Sequence, residues 1–212
     1  MKTLSQITSF WDDKRPREGR MSLKSVLREA RACTVCQAAL PLGARPVLQA
    51  APGARLLIVG QAPGRKVHVT GMPWNDASGD RLRAWLRIDR EVFYDAARVA
   101  IVPMGFCYPG AAESGGDRPP RRECAPLWHA RLLGHLREIR CTLLVGQYAH
   151  RHYLRSTRKN TLTETVSAFA EYGPRFFPLP HPSWRSVAWM RQNRWFEERV
   201  LPDLREVVRT LL

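Results

Sequence analysis

The sequence predicts an α/β domain, a three-layer αβα arrangement with a central parallel four-stranded sheet. Three observations lead there. Four short runs are dominated by apolar residues without alternation, as strands buried on both faces are. Helical patterns separate these runs, which is the crossover a parallel sheet requires. Three of the runs hand over at their carboxyl ends to loops carrying Gly, Pro and polar side chains, where open α/β sheets place their ligands.

With 212 residues and 44% hydrophobic content, the chain can bury one substantial core and is short for two. Residues 1–20 have mixed charge and little periodicity and read as an N-terminal arm; residues 21–212 read as a single domain. A helix is expected over residues 22–32. The first strand is Arg55-Leu-Leu-Ile-Val-Gly60, ending in Gly60-Gln-Ala-Pro-Gly64. A helix over 79–86 leads to the second strand, Arg98-Val-Ala-Ile-Val102. A Gly-, Pro- and Arg-rich loop over 108–122 follows, then a helix over 125–136 and the third strand, Cys141-Thr-Leu-Leu-Val-Gly146. After a helix over 148–154 comes the fourth strand, Arg175-Phe-Phe-Pro-Leu179, which runs into His181-Pro-Ser-Trp184; a helix over 195–212 closes the chain. The loop after Gly60, the segment after Val102 and the loop at His181 all leave carboxyl strand ends, so they can line one pocket.

Thirty-four basic residues against 19 acidic ones leave a formal charge of +15, most of it arginine. Guanidinium forks match phosphate geometry, and neutralised phosphates release counterions, so the expected partner is a nucleic acid. The longest apolar runs fall far below the roughly 20 residues that cross a bilayer, and the N-terminus lacks the apolar stretch of a secretory signal. The expectation is a cytoplasmic, nucleoid-associated monomer with no membrane partner.

Five cysteines in such a compartment argue against a disulfide framework. Cys33 and Cys36 form a C-x2-C pair, and Cys107 with Cys124 can complete a four-thiolate site. On chemistry alone the set suits structural zinc, an iron–sulfur cluster or a redox dithiol. Cys141, at the start of a strand, reads as a small buried hydrophobe.

The order Cys33-x2-Cys36, Gly60-Gln-Ala-Pro-Gly64, Thr70-Gly-Met-Pro-Trp74, Gly79, Leu82, Cys107, Cys124 and His181-Pro-Ser183 resembles the uracil-DNA glycosylase superfamily over about residues 30–205. It is most similar to the family-4-like branch, whose four cysteines hold a [4Fe–4S] cluster. The resemblance implies a base-excision enzyme acting on uracil-containing DNA, with Cys33, Cys36, Cys107 and Cys124 as cluster ligands. It also implies that Trp74 lies against the flipped base and that His181 donates to uracil O2, assisted by the backbone at Gln61. Gly60, Ala62 and Asn75 fall at substrate-binding positions; Ser183, Trp184 and Arg185 belong to the loop that enters the DNA.

These roles make chemical sense. A base must leave the stack to be cut, its ring needs an aromatic neighbour, and fixed donors near O2 stabilise the departing anion.

The chain departs from the family in two places. Gln61 and Ala62 stand where other members carry acids, and Arg65-Lys-Val-His68 replaces an acidic run, so the water-activating group falls among Asp76, Asp80, His68 and Gln61. Asp76 is the first choice, although an Asp before the 78–86 helix serves equally as an N-cap. Pro103 stands where the family has an Asn that reads the uracil edge, leaving Asn75 or the backbone near Met104 and Gly105 to replace it. The missing acids keep a second class open, a non-catalytic nucleic-acid-binding protein on the same scaffold.

Overall fold

The computed structural model describes residues 21–113 and 115–212, so the expected arm over 1–20 lies outside the described residues. Four strands, β1 Leu56–Val59, β2 Val99–Ile101, β3 Cys141–Val145 and β4 Phe176–Leu179, form one sheet in the order β2-β1-β3-β4. All pairs are parallel; Leu57 sits opposite Ala100 and Thr142, and Thr142 opposite Phe176. The four expected strands are therefore present, each trimmed by a residue or two.

Every residue of the four strands is buried, which explains why they are apolar but for Thr142. The pleat then sends alternate side chains to opposite faces. Leu57, Val59, Ala100, Leu144 and Phe176 pack on one face against α1 (Leu23–Arg31), α5 (Cys124–Leu133) and α6 (Gln147–Leu154). Leu56, Ile58, Val99, Ile101, Leu143, Val145 and Phe177 pack on the other against α3 (Ala77–Leu86), α4 (Arg90–Tyr94), α7 (Leu162–Ser167) and α9 (Leu201–Leu211). Three αβα layers result. Cys141 is 2% exposed inside the second face, as a small hydrophobe would be.

Capping fixes where several helices begin. Ser22 Oγ accepts from Ser25 N at the start of α1, and Thr161 with Glu164 forms a capping box on α7. Four helices were not expected: α2 (Arg65–Thr70), α4, α7 and α8 (Arg185–Gln192). The first three run six residues or fewer, too short for an apolar period to repeat, and α8 buries only Ser186. The helix expected over 195–212 is preceded by a π-helical turn, Phe196–Val200, before α9.

Candidate active site

A cavity of about 100 Å³ opens beyond the carboxyl ends of β1, β2 and β4. Its wall combines the Gly60 loop, Pro103 and His181 with Trp74 and Asp76 from the α2–α3 connection and Asp117 from the long loop before α5. The three strand-end segments converge as their topology implied. Drug-sized ligands fill roughly 300–1,000 Å³, so this space suits a single small ring.

Trp74 is held in an unusual backbone conformation, with φ at 55°. Three features secure it. Arg83 Nη1 donates to the Trp74 carbonyl at 3.3 Å. A Cβ on Gly79 would lie 1.7 Å from that same carbonyl oxygen, so only glycine lets α3 start this close. A Cβ on Gly60 would stand 2.7 Å from Trp74 Cζ2, so the β1 loop meets the indole edge through a bare backbone.

The indole and the His181 imidazole face the cavity with ring centroids 5.6 Å apart and planes inclined by 33°. Burial lowers the His181 pKa, with the Asp76 charge partly opposing it, so the ring enters at neutral pH as a neutral donor. The turn beneath it is pinned by Ser183 N donating to the His181 carbonyl at 2.8 Å and Arg81 Nη1 donating to the Pro182 carbonyl at 3.0 Å.

Asp76 uses its two oxygens differently. Oδ1 accepts from Gly79 N at 2.8 Å and caps α3, while Oδ2 lies 3.7 Å from the point a Gly64 Cβ would occupy, at the cavity wall. The cap and a role in the cavity coexist. Gln61 also lines the cavity, but its side-chain amide donates to the Arg118 carbonyl at 3.0 Å, tying down the long loop. Ala62 contributes only its small side chain and backbone to the wall.

The other candidates stand apart. Asp80 is exposed and pairs with the buried Arg83 guanidinium at 2.5 Å, away from the cavity. His68 is buried on α2 near the Tyr108 ring, outside the cavity wall, and its Nδ1 has no hydrogen-bond partner. Burial first, then the Arg45 charge, lowers its pKa. Asn75 Oδ1 accepts from Arg90 Nη2 at 3.2 Å, and Asn75 is absent from the cavity wall. Ser183 is half-buried in the pinned turn, while Trp184 is 73% exposed beneath the Arg185 guanidinium, 4.9 Å from its ring centre.

Sequence reasoning missed Asp117. It follows Gly115 and Gly116 in a stretch without periodicity, and only its place in the fold brings it to the cavity. Its Oδ2 lies 3.4 Å from where a Gly64 Cβ would be, against 3.7 Å for Asp76 Oδ2. Both carboxylates thus come within 4 Å of one point on the cavity wall. Burial, followed by the Asp76 charge, raises the Asp117 pKa.

A second cavity is lined by Cys33, Cys36, Cys107 and Cys124, with apolar walls that include Leu40, Phe106 and Trp128. Burial pushes the Cys107 thiol up to about 11 and the Cys124 thiol up to about 12, with neighbouring cysteines adding to both. Phe106 N donates to Cys124 Sγ at 3.3 Å. Among the described residues, no three His, Cys, Asp or Glu side chains are grouped closely enough to hold a metal ion. A backbone hydrogen bond links the two linings: Gly105 N, two residues before Cys107, donates to the Gln61 carbonyl at 2.9 Å. No helix among the described residues is long and apolar enough to cross a membrane. A family model described as the uracil DNA glycosylase superfamily matches residues 48–205.

Proposed function

Because the chain belongs to the uracil DNA glycosylase superfamily, we propose that it flips uracil out of DNA and hydrolyses the N-glycosidic bond, leaving an abasic site. The observation that carries this reading is the cavity bordered by both the Trp74 indole and a neutral His181 at the strand ends. A flat ring entering there meets an aromatic surface and a donor that need not be reorganised during the reaction.

The C1′–N1 bond breaks with its electron pair leaving on the base. Negative charge grows at O2, which His181 stabilises as a neutral donor, and positive charge grows on the sugar, which Asp76 stabilises through Oδ2. Water then adds to C1′. Such a transition state needs little nucleophilic push, which suits a site whose Gln61 side chain is engaged with Arg118. Exposed Trp184 and Arg185 supply an aromatic and a cation for the gap in the duplex, acting as a monomer on DNA.

Cys33, Cys36, Cys107 and Cys124 would hold a [4Fe–4S] cluster. The lining of one apolar cavity by all four cysteines supports this. When bound, the group supplies a covalent tie between the segment after α1 and the loop before α5. Iron and acid-labile sulfide in stoichiometric amount, with broad visible absorbance, are the expected result; stoichiometric zinc would overturn it.

A uracil-containing oligonucleotide, incubated single- and double-stranded and then treated with alkali, tests the reaction. Strand breakage at the uracil is expected. Tight DNA binding with no breakage on either substrate would replace this reading with a non-catalytic DNA-binding protein.

A further inference from the structure

We infer that Asp117 is the second carboxylate of the reaction, acting with Asp76 to hold the attacking water and to stabilise the cationic sugar. This rests on the glycosylase reading above and gives its water a specific location. The family motif leaves a gap at Gln61 and Ala62, where neither residue can accept a proton. The fold fills that gap from elsewhere. The long loop folds back through Arg118 N donating to the Gly110 carbonyl at 2.8 Å and a lone bridge between Ala111 and Asp117. Gln61 then fastens the loop by donating to the Arg118 carbonyl, the residue next to Asp117. The side chain expected at the water therefore positions the one that reaches it.

Three further observations converge. Asp117 lines the same cavity as Trp74 and His181, and the titratable side chains of that wall are Asp76, Asp117 and His181. Asp117 Oδ2 and Asp76 Oδ2 approach the empty side of Gly64 at 3.4 and 3.7 Å, so a small polar molecule beside that glycine meets both acceptors. Arg185 lies against the same loop, its guanidinium nitrogens 3.5 and 3.3 Å from where Cβ atoms on Gly115 and Gly116 would stand, so DNA engagement at Arg185 bears directly on the loop carrying Asp117.

In the step itself, the C1′–N1 pair departs with the base, the water oxygen bonds to C1′, and the water proton passes to the carboxylate pair. The pair returns that proton to solvent, and the base anion takes one from solvent. Atoms and charge balance with water as the sole co-reactant.

Asp117→Asn, assayed by single-turnover cleavage of the uracil oligonucleotide, should be slower by roughly a hundredfold, the lower range for loss of a general base. Oligonucleotide affinity should be unchanged, and Asp117→Glu should recover part of the rate. A second readout separates chemistry from structure. Asp76→Asn removes a charge that raises the Asp117 pKa, so the acid limb of its residual pH–rate profile should move to lower pH. If Asp117→Asn fails to fold, Gly64→Ala carries the test. Its φ of −77° accepts a side chain, and the methyl would sit in ordinary contact with both carboxylates, displacing the water and slowing cleavage. Wild-type rates in Asp117→Asn or Gly64→Ala, with an active parent enzyme, overturn the inference alone; a parent enzyme inactive on uracil DNA overturns the glycosylase reading and this one with it.

Discussion

Two buried histidines should make the fold sensitive to mild acid. His129 on α5 is 3% exposed; its Nε2 lies 2.9 Å from the Pro103 carbonyl and its Nδ1 2.7 Å from the Tyr153 hydroxyl. A carbonyl only accepts, so Nε2 carries the proton and Nδ1 accepts from tyrosine. Burial lowers the His129 pKa to about 4, against the pull of the Pro103 carbonyl and with help from His152. Burial likewise lowers His150 to about 4, where Nε2 donates to the Leu144 carbonyl at 2.9 Å. The unfolded chain takes up these protons below its ordinary value of 6.5, while the native state refuses them until about 4. Stability is therefore complete above the unfolded pKa and declines as pH falls through the window from 6.5 to about 4. At about 1.4 kcal/mol per pKa unit, each histidine costs on the order of 3 kcal/mol at the acid end, a large share of a typical 5–15 kcal/mol. His129→Gln removes one titration and leaves an amide that can still donate to the Pro103 carbonyl. Urea unfolding followed by tryptophan fluorescence across this window should show its stability falling about 1 kcal/mol less per pH unit than that of the wild type. An unchanged slope would refute the buried-neutral assignment of His129.

Gly79→Ala drives a Cβ to 1.7 Å from the Trp74 carbonyl, so α3 or Trp74 must shift; the fold should lose ~2 kcal/mol or more in urea unfolding, and uracil cleavage should fall with it. Asp80→Asn should leave single-turnover cleavage near wild type and lower stability by about 1 kcal/mol, because Arg83 loses its carboxylate partner while Asp80 itself is solvated; a cleavage defect matching that of Asp76→Asn would place Asp80 in the chemistry. Trp184→Ala removes an indole that is 73% exposed, so unfolding should shift by less than about 0.5 kcal/mol while affinity for duplex DNA drops; equal affinity would remove Trp184 from the interface. If the four cysteines hold the proposed cluster, Cys107→Ser should lower the midpoint of thermal unfolding and the iron content together, and a variant with wild-type stability would refute a structural role for it.

The sheet was legible because buried parallel strands carry few polar positions to blur them: Leu56–Val59 is wholly apolar and Cys141–Val145 is interrupted only by Thr142. The helices α2, α4 and α7 were not, because a stretch of six residues or fewer completes less than two turns and shows no repeat. Trp74 and His181, singled out by their motifs, both line the cavity. Asp80 and His68 were drawn in by closeness in sequence to the Gly60 loop. Helical geometry places both outside the cavity lining: Asp80 lies one turn beyond the cap, on the side that meets Arg83, and His68 sits buried on α2 beside Tyr108. Asp117 was illegible for the opposite reason. Its approach depends on a tertiary hydrogen bond from Gln61 to Arg118, a contact across 57 positions that no local pattern encodes.

That contact gives position 61 a use in the fold. Against the resemblance, which leads one to expect an acid there, Gln61 looks in one dimension like a missing catalytic group. In three dimensions an amide can do what a carboxylate cannot, since its Nε2 donates to a carbonyl and so holds a neighbouring loop against the strand end. A carboxylate at position 61 would instead face the Arg118 carbonyl as a second acceptor and stand near both Asp76 and Asp117, adding a third negative charge to one wall. Gln61→Glu should therefore release the loop and slow cleavage. If Gln61→Glu instead raises the cleavage rate while limited proteolysis of the loop is unchanged, the amide has no positioning role, and the water belongs beside residue 61.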